Sequence, residues 1–359
     1  MSPVKALACT LGRRHWIVIA LSALGGCGGG NSGQGGSSIS GSRGSSSSPG
    51  SGSTTTGSGG AASGGTEVAG LPGTGGTGAG AQGSLPGTGG TGIFSQGSIS
   101  AFGSVVLNGI HFDERGARIQ IDGASSGSGA LRLGMVAGIQ GERYADGMTG
   151  RADSIEVWSI ARGMVSATGS GGFTVLGMRI QVKASTFLEG VGSASAIAVG
   201  QWVAVWGLQA DASGSAWVAT RVAVVSAGGT LVATGTVAGS KDHRTLNGIA
   251  LIGDDAEKLT LGRLTRVQGY QEIGSTELKV QSHYDINVRA ESTSSPGEVE
   301  LEGLVTALQS NKRFLLGSVQ VDGSALPNYA LVRVGAKLEV YGTWQGPVLK
   351  AREMEIEDD

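Results

Sequence analysis

The chain has 359 residues, 67 of them glycine, and only 5% are aromatic. Lys and Arg number 26 against 28 Asp and Glu, a formal net charge of −2. A nucleic-acid binder gains affinity by neutralising phosphates with a basic stripe, so a mildly acidic chain without a Lys/Arg cluster after its first 26 residues argues against that class.

At the N-terminus, Lys5, Arg13 and Arg14 precede an apolar run from Trp16 to Leu24, and the small residues Gly25 and Gly26 follow. That is the order of a secretory signal, and the run is far short of the roughly 20 residues that span a bilayer. Leu24-Gly25-Gly26-Cys27 resembles a bacterial lipobox. The resemblance implies lipid on the Cys27 sulfur, cleavage after residue 26 and acylation, palmitate included, of the new terminus. Each buried CH₂ contributes about 0.8 kcal/mol, so two or three chains anchor a protein to a membrane. No Asp follows Cys27, which suits the outer membrane of a Gram-negative cell envelope. Cys9 departs with the signal peptide, so Cys27 is left without an intramolecular disulfide partner.

Residues 27–96 are expected to form the lipidated Cys and a disordered Gly/Ser-rich tether, too polar and small-chained to offset its conformational entropy. Its stretch from Gly28 to Gly92, as a flexible chain, has an r.m.s. span of roughly 40–48 Å. LPGTGGTG occurs at 71–78 and again at 85–92. LPGTG resembles a sortase signal, but no hydrophobic span and basic tail follow it. GTGGTG fits a dinucleotide fingerprint, but has neither a strand before it nor a helix after it. Both read as low-complexity duplication.

Beyond residue 96 the sequence repeats. LRLGMVAGIQG, IAVGQWVAVWG, LTLGRLTRVQG and VRVGAKLEVYG each carry two glycines seven apart: Gly134/Gly141, Gly200/Gly207, Gly262/Gly269 and Gly335/Gly342. Upstream lie Gly97, Gly163, Gly235 and Gly303, spaced 66, 72 and 68 residues apart. Between them come short alternating apolar runs with glycine bends at Gly177 and Gly317. Period-two alternation with glycine turns predicts about five short strands per unit, closed into a small barrel that leaves no sticky edge. The expected fold is all-β: tandem OB-like barrels at 97–159, 160–226, 227–291 and 298–359, after a signal peptide at 1–26. The third is the most degenerate, with Thr265 at an inward position. Units this small have marginal cores, so they are expected to pack on one another, at least in pairs. Ser292 to Gly297 reads as a short linker.

The stretches SISAFGSVVLNGIHFD and FTVLGMRIQV, with the apolar-Gly-x₆-Gly strands, resemble a bacterial family, domain of unknown function 5666. The resemblance covers roughly 97–226 well and 227–359 loosely. It implies small OB-like β domains in envelope lipoproteins and carries no substrate or catalytic residue.

The chemistry-bearing residues are scattered. His111, His243 and His283 have no metal-ligand spacing, so no cofactor or metal is expected. Asp122-Gly123 and Asp322-Gly323 suit tight turns, and Asp254-Asp255 sits where a turn is expected. No serine lies in a nucleophile elbow. The candidate binding residues are aromatic. Alternation sends Val203 and Val205 to one face of a strand and Trp202 and Trp206 to the other. Tyr341 holds the place of Trp206 in the fourth unit, and Trp217 and Trp344 lie near. Such residues either pack against the next repeat or form an exposed platform for a glycan, peptide or other partner. The expected function is a non-catalytic, membrane-anchored envelope lipoprotein that binds or scaffolds a protein or envelope polymer. The alternatives are an OB-type nucleic-acid binder and a periplasmic enzyme.

Overall fold

The computed structural model describes residues 91–272, 275–286 and 297–357, all within one compact unit, Gly78–Asp359. The leader, Cys27 with its lipobox, the Gly/Ser stretch to residue 90 and residues 292–296 of the linker lie outside the described residues.

The fold is all-β, and its strands close into rings. The first ring contains β1 (Thr91–Ala101), β2 (Val105–Leu107), β3 (Ile110–Asp113), an added hairpin of β4 (Arg118–Ile121) and β5 (Ala124–Ser126), then β6 (Val136–Arg143) and β7 (Thr149–Val157). Pairing runs β1–β2–β3–β7–β6 and back to β1, with β3–β7 parallel. The second ring is β8 (Ala161–Gly169), β9 (Gly172–Val175), β10 (Met178–Glu189), β11 (Trp202–Gln209) and β12 (Ala216–Val224). It closes in the same order. The third is β13 (Leu231–Gly239), β14 (Arg244–Leu246), β15 (Ile249–Ile252), the short helix α1 (Asp254–Glu257), β16 (Leu264–Tyr270) and β17 (Leu278–Asp285). It too closes. The fourth is β18 (Glu298–Leu308), β19 (Arg313–Leu316), β20 (Val319–Asp322), β21 (Lys337–Gln345) and β22 (Val348–Glu357). Its circuit is identical. This is the OB order of strands, closed in each ring by one parallel pair. The rings are joined by hydrogen bonds into two sheets, first with fourth and second with third.

The repeated glycines have two separate duties. Gly134, Gly200, Gly262 and Gly335 all have φ between 77 and 89°, the left-handed region open to glycine, and each turns the chain into the fourth strand of its ring. Gly141, Gly207, Gly269 and Gly342 each sit at a register shift opposite the closing strand. A Cβ there would meet a backbone carbonyl oxygen at 2.0 to 2.4 Å. These are β-bulges, the bends that let a small sheet curve shut. In the first and third rings an Asn-Gly hairpin folds back on the first strand: Asn108 donates to the Gln96 carbonyl (3.1 Å) and Asn247 to that of Thr234 (2.9 Å).

Two expectations are corrected. β1 starts at Thr91, inside the stretch assigned to the tether, because Ile93 reaches the first ring's core and is 5% exposed. Asp254-Asp255 opens the short helix α1 rather than a simple turn, and Lys258 pairs with Asp255 at 2.7 Å.

The cores extend beyond single rings. The second and third share one continuous apolar cluster, including Val203, Val205, Val237 and Val267. The first ring's cluster takes in Ala204, Trp206 and Ala223 from the second. The fourth keeps its own, capped by Phe94 of the first.

Candidate binding site

Alternation on the fourth strand of each ring explains how the rings join. Residues one, three and five places after the bend glycine's successor point outward: Val136/Gly138/Gln140, Trp202/Ala204/Trp206, Leu264/Arg266/Gln268 and Lys337/Glu339/Tyr341. In the second ring that face packs on the first ring, with Trp206 6% exposed. In the third, Arg266 reaches Asp122 of the first ring at 2.7 Å and donates from Nε to the Ser159 carbonyl at 2.8 Å. Asp122 also accepts from the Ser159 amide at 2.8 Å. Trp158 stacks on Tyr284 with centroids 5.3 Å apart, and Arg266 covers the Trp158 ring at 5.1 Å.

The fourth ring meets the first through parallel pairing of β1 with β18, Ile93–Gln96 beside Glu298–Leu301. This contact buries acids. Ser95 donates to Glu300 at 2.9 Å, Asn108 donates to Ser95 at 3.0 Å, and the Tyr341 hydroxyl donates to Glu339. Burial, together with the neighbouring Glu300 carboxyl, pushes Glu339 up to about 9. Burial also raises Glu300. These two acids do not border the central cavity described next. Glu302 is paired with Lys337 at 2.7 Å and accepts from the Ser98 amide at 2.7 Å.

Where the four rings converge lies a cavity of about 730 Å³, lined by residues of every ring. The first ring supplies its polar wall. Register places Phe94, Gln140, Ser154 and Arg118 in one row across four strands, and Gln96, Gly138, Glu156 and Gln120 in the next. The third and fourth rings add the apolar Leu264, Ile286, Leu304 and Val319, together with the polar Asp285, Glu302 and Ser318. Arg118 and Tyr284 are exposed and mark the mouth. A recess of about 240 Å³ shares Leu264, Asp285, Ile286 and Ser318 with the cavity. The face of β2 and β3 contributes nothing to the lining.

The expected aromatic platform does not form. Trp206, Trp217 and Tyr341 are buried, and Trp202 and Trp344 are half-buried against core clusters. Trp206 packs into the first ring's cluster, Trp202 and Trp217 into the one the second and third rings share, and Trp344 against the fourth ring's own; Trp217 donates to the Gly214 carbonyl at 2.8 Å. Of the five, only Trp217 borders the cavity. Sequence reasoning missed Gln140 and Arg266, although the alternation applied to Trp202 and Trp206 also sends them outward. Asp122-Gly123 is the expected left-handed turn, with φ of 53 and 82°, and its carboxylate also ties two rings together. His111 and His243 are exposed. Among the described residues no three His, Cys, Asp or Glu side chains come together as a metal site.

The fold and cavity define a chain of OB-type rings built around a shared cleft. The family model for a domain of unknown function, DUF5666, matches residues 162–223, the second ring from within β8 to within β12. No curated protein matches the chain, and no solved structure does.

Proposed function

We propose that the protein is a lipid-anchored component of the bacterial cell envelope whose four-ring body binds an envelope component without transforming it. One observation carries the binding half: a cavity bordered by all four rings, where Gln96, Gln120, Gln140, Arg118 and Glu156 make no side-chain hydrogen bond or ion pair with another described residue. Polar groups in a cleft with their bonding capacity uncommitted are what orient a ligand. The first, third and fourth rings also carry the bend, bulge and circuit of the matched second ring, which supports reading all four as one domain type repeated.

The envelope half rests on the signal-like leader and on Leu24, Gly25, Gly26 and Cys27. Replacing Cys27 with Ser is expected to abolish incorporation of labelled palmitate and move the protein to the soluble fraction. A variant that stays labelled and membrane-bound overturns the anchor. Binding is tested by placing a photo-crosslinking residue at Gln140 in the intact envelope. A reproducible adduct that is lost when the probe sits at exposed His243 supports the cavity.

A further inference from the structure

We propose that the cavity takes an uncharged, polyhydroxylated ligand, a short glycan segment, laid across the outer face of the first ring. The inference rests on the binding function proposed above and names its ligand class.

Three features select this chemistry. The first is the type of polar group. Gln96, Gln120 and Gln140 each offer an acceptor oxygen and a donor NH₂, and none is used by another described side chain. Sugar hydroxyls also donate and accept, so amides match them where a purely anionic or cationic wall would not. With strands about 4.8 Å apart, the four-strand rows extend roughly 14 Å, a ladder suited to an extended oligomer.

The second is charge. Arg266 is committed to Asp122, and Glu302 to Lys337. Arg118 and Glu156 stand on neighbouring rows of the same wall with opposite charge, and Asp285 accepts from the Thr265 hydroxyl at 2.8 Å. The lining mixes both signs, Arg118 and Arg266 with Glu156, Asp285 and Glu302, so no like-charged cluster awaits an ion; a neutral ligand avoids the desolvation that an ion undergoes.

The third is the mixture of groups. Beside the glutamines the lining holds leucine, isoleucine and valine side chains, with Asp285 and Ser318 among them. A pyranose has a rim of hydroxyls and faces of C–H, so it satisfies both at once. A peptide is the less fitting neutral oligomer. It would be held most strongly by adding a strand to a sheet edge, and apart from the three-residue β5 at one sheet end the strands of each ring are paired into closed circuits.

The test uses the full-length protein in detergent micelles. Titration calorimetry is run with neutral β-linked glucose and N-acetylglucosamine oligomers of two to four units, an acidic uronic oligomer and a Gly/Ser/Gln peptide. Neutral oligomers are expected to bind, with affinity rising with length and then levelling. The double change Gln120→Ala with Gln140→Ala is expected to weaken binding by at least about tenfold with thermal unfolding unchanged. Gln140→Glu, nearly the same size, serves if the double variant folds poorly. Binding of only the acidic oligomer or only the peptide overturns the proposal, as does sugar binding that the variants leave intact. If no oligomer binds but the Gln140 crosslinker still captures an envelope component, the ligand class is wrong and the binding function stands. If the crosslinker captures nothing either, both fall.

Discussion

Arg266 of the third ring and Asp122 of the first form a 2.7 Å ion pair in which the arginine side chain is 3% exposed. Burial lowers Arg266 from its ordinary value while the Asp122 charge opposes that shift. Removing one partner of a buried pair strands the other, at a cost of about 3–5 kcal/mol. Asp122→Asn is the informative change, because Asn accepts the left-handed φ of 53° at that position and only the charge is lost. It is expected to destabilise the body by about 3 kcal/mol, at the low end of that range because the Asp122 side chain is 28% exposed. Urea unfolding would measure it.

The two glycine duties predict two different costs. Gly335→Ala meets open space and suffers only backbone strain at φ 85°, about 1–2 kcal/mol. Gly342→Ala has an ordinary φ but puts a Cβ 2.1 Å from the Lys350 carbonyl oxygen, so β21 and β22 must part. Thermal unfolding is expected to rank Gly342→Ala well below Gly335→Ala. The reverse order would mean that the bulge carries no packing constraint.

The buried acids make stability depend on pH in a definite direction. Glu339 moves from an ordinary 4.5 to about 9 because it is buried beside Glu300. Below 4.5 both folded and unfolded states hold the proton. Between 4.5 and about 9 only the folded state holds it, so stability falls as pH rises. Arg143, whose charge favours ionised Glu300, and Glu357, whose charge opposes ionisation of Glu339, face the pair without removing the trend. Asp113, held at about 2 by hydrogen bonds from Arg115, adds a loss only as pH falls below its ordinary 3.8. Unfolding midpoints at pH 5, 7 and 9 should decline in that order, and Glu339→Gln should flatten the decline.

Trp206 belongs to the packing between two rings. Trp206→Ala is expected to cost about 3–5 kcal/mol, the range for large buried aromatics, and to leave ligand capture by the folded fraction unchanged. Calorimetric unfolding alongside crosslinking at Gln140 separates the two effects.

The fourth strand of each ring was legible because a bend glycine and a bulge glycine recur seven apart around it, one at a left-handed φ and one at a close backbone approach, whereas the start of β1 at Thr91 was not. The all-β class followed from alternation such as Val203 and Val205. The cavity was not legible. Gln96 and Gln140 are ordinary strand residues, and only the relative placement of four rings makes them a wall. Trp206 pointed outward from its own ring as expected, but alternation within one strand cannot say what covers the other side. Arg266 escaped notice because its partner, Asp122, lies 144 residues earlier in the chain.

The parallel ladder between β1 and β18 has a mechanical consequence. Residues Ile93–Gln96 bond to β6 on one side and β18 on the other, so the first strand is clamped by both the first and the last ring. A pull arriving through the residues before Thr91 loads these bonds together, in shear, instead of peeling them apart one by one. Tension applied at Thr91 would therefore be shared from the outset between the two ends of the array.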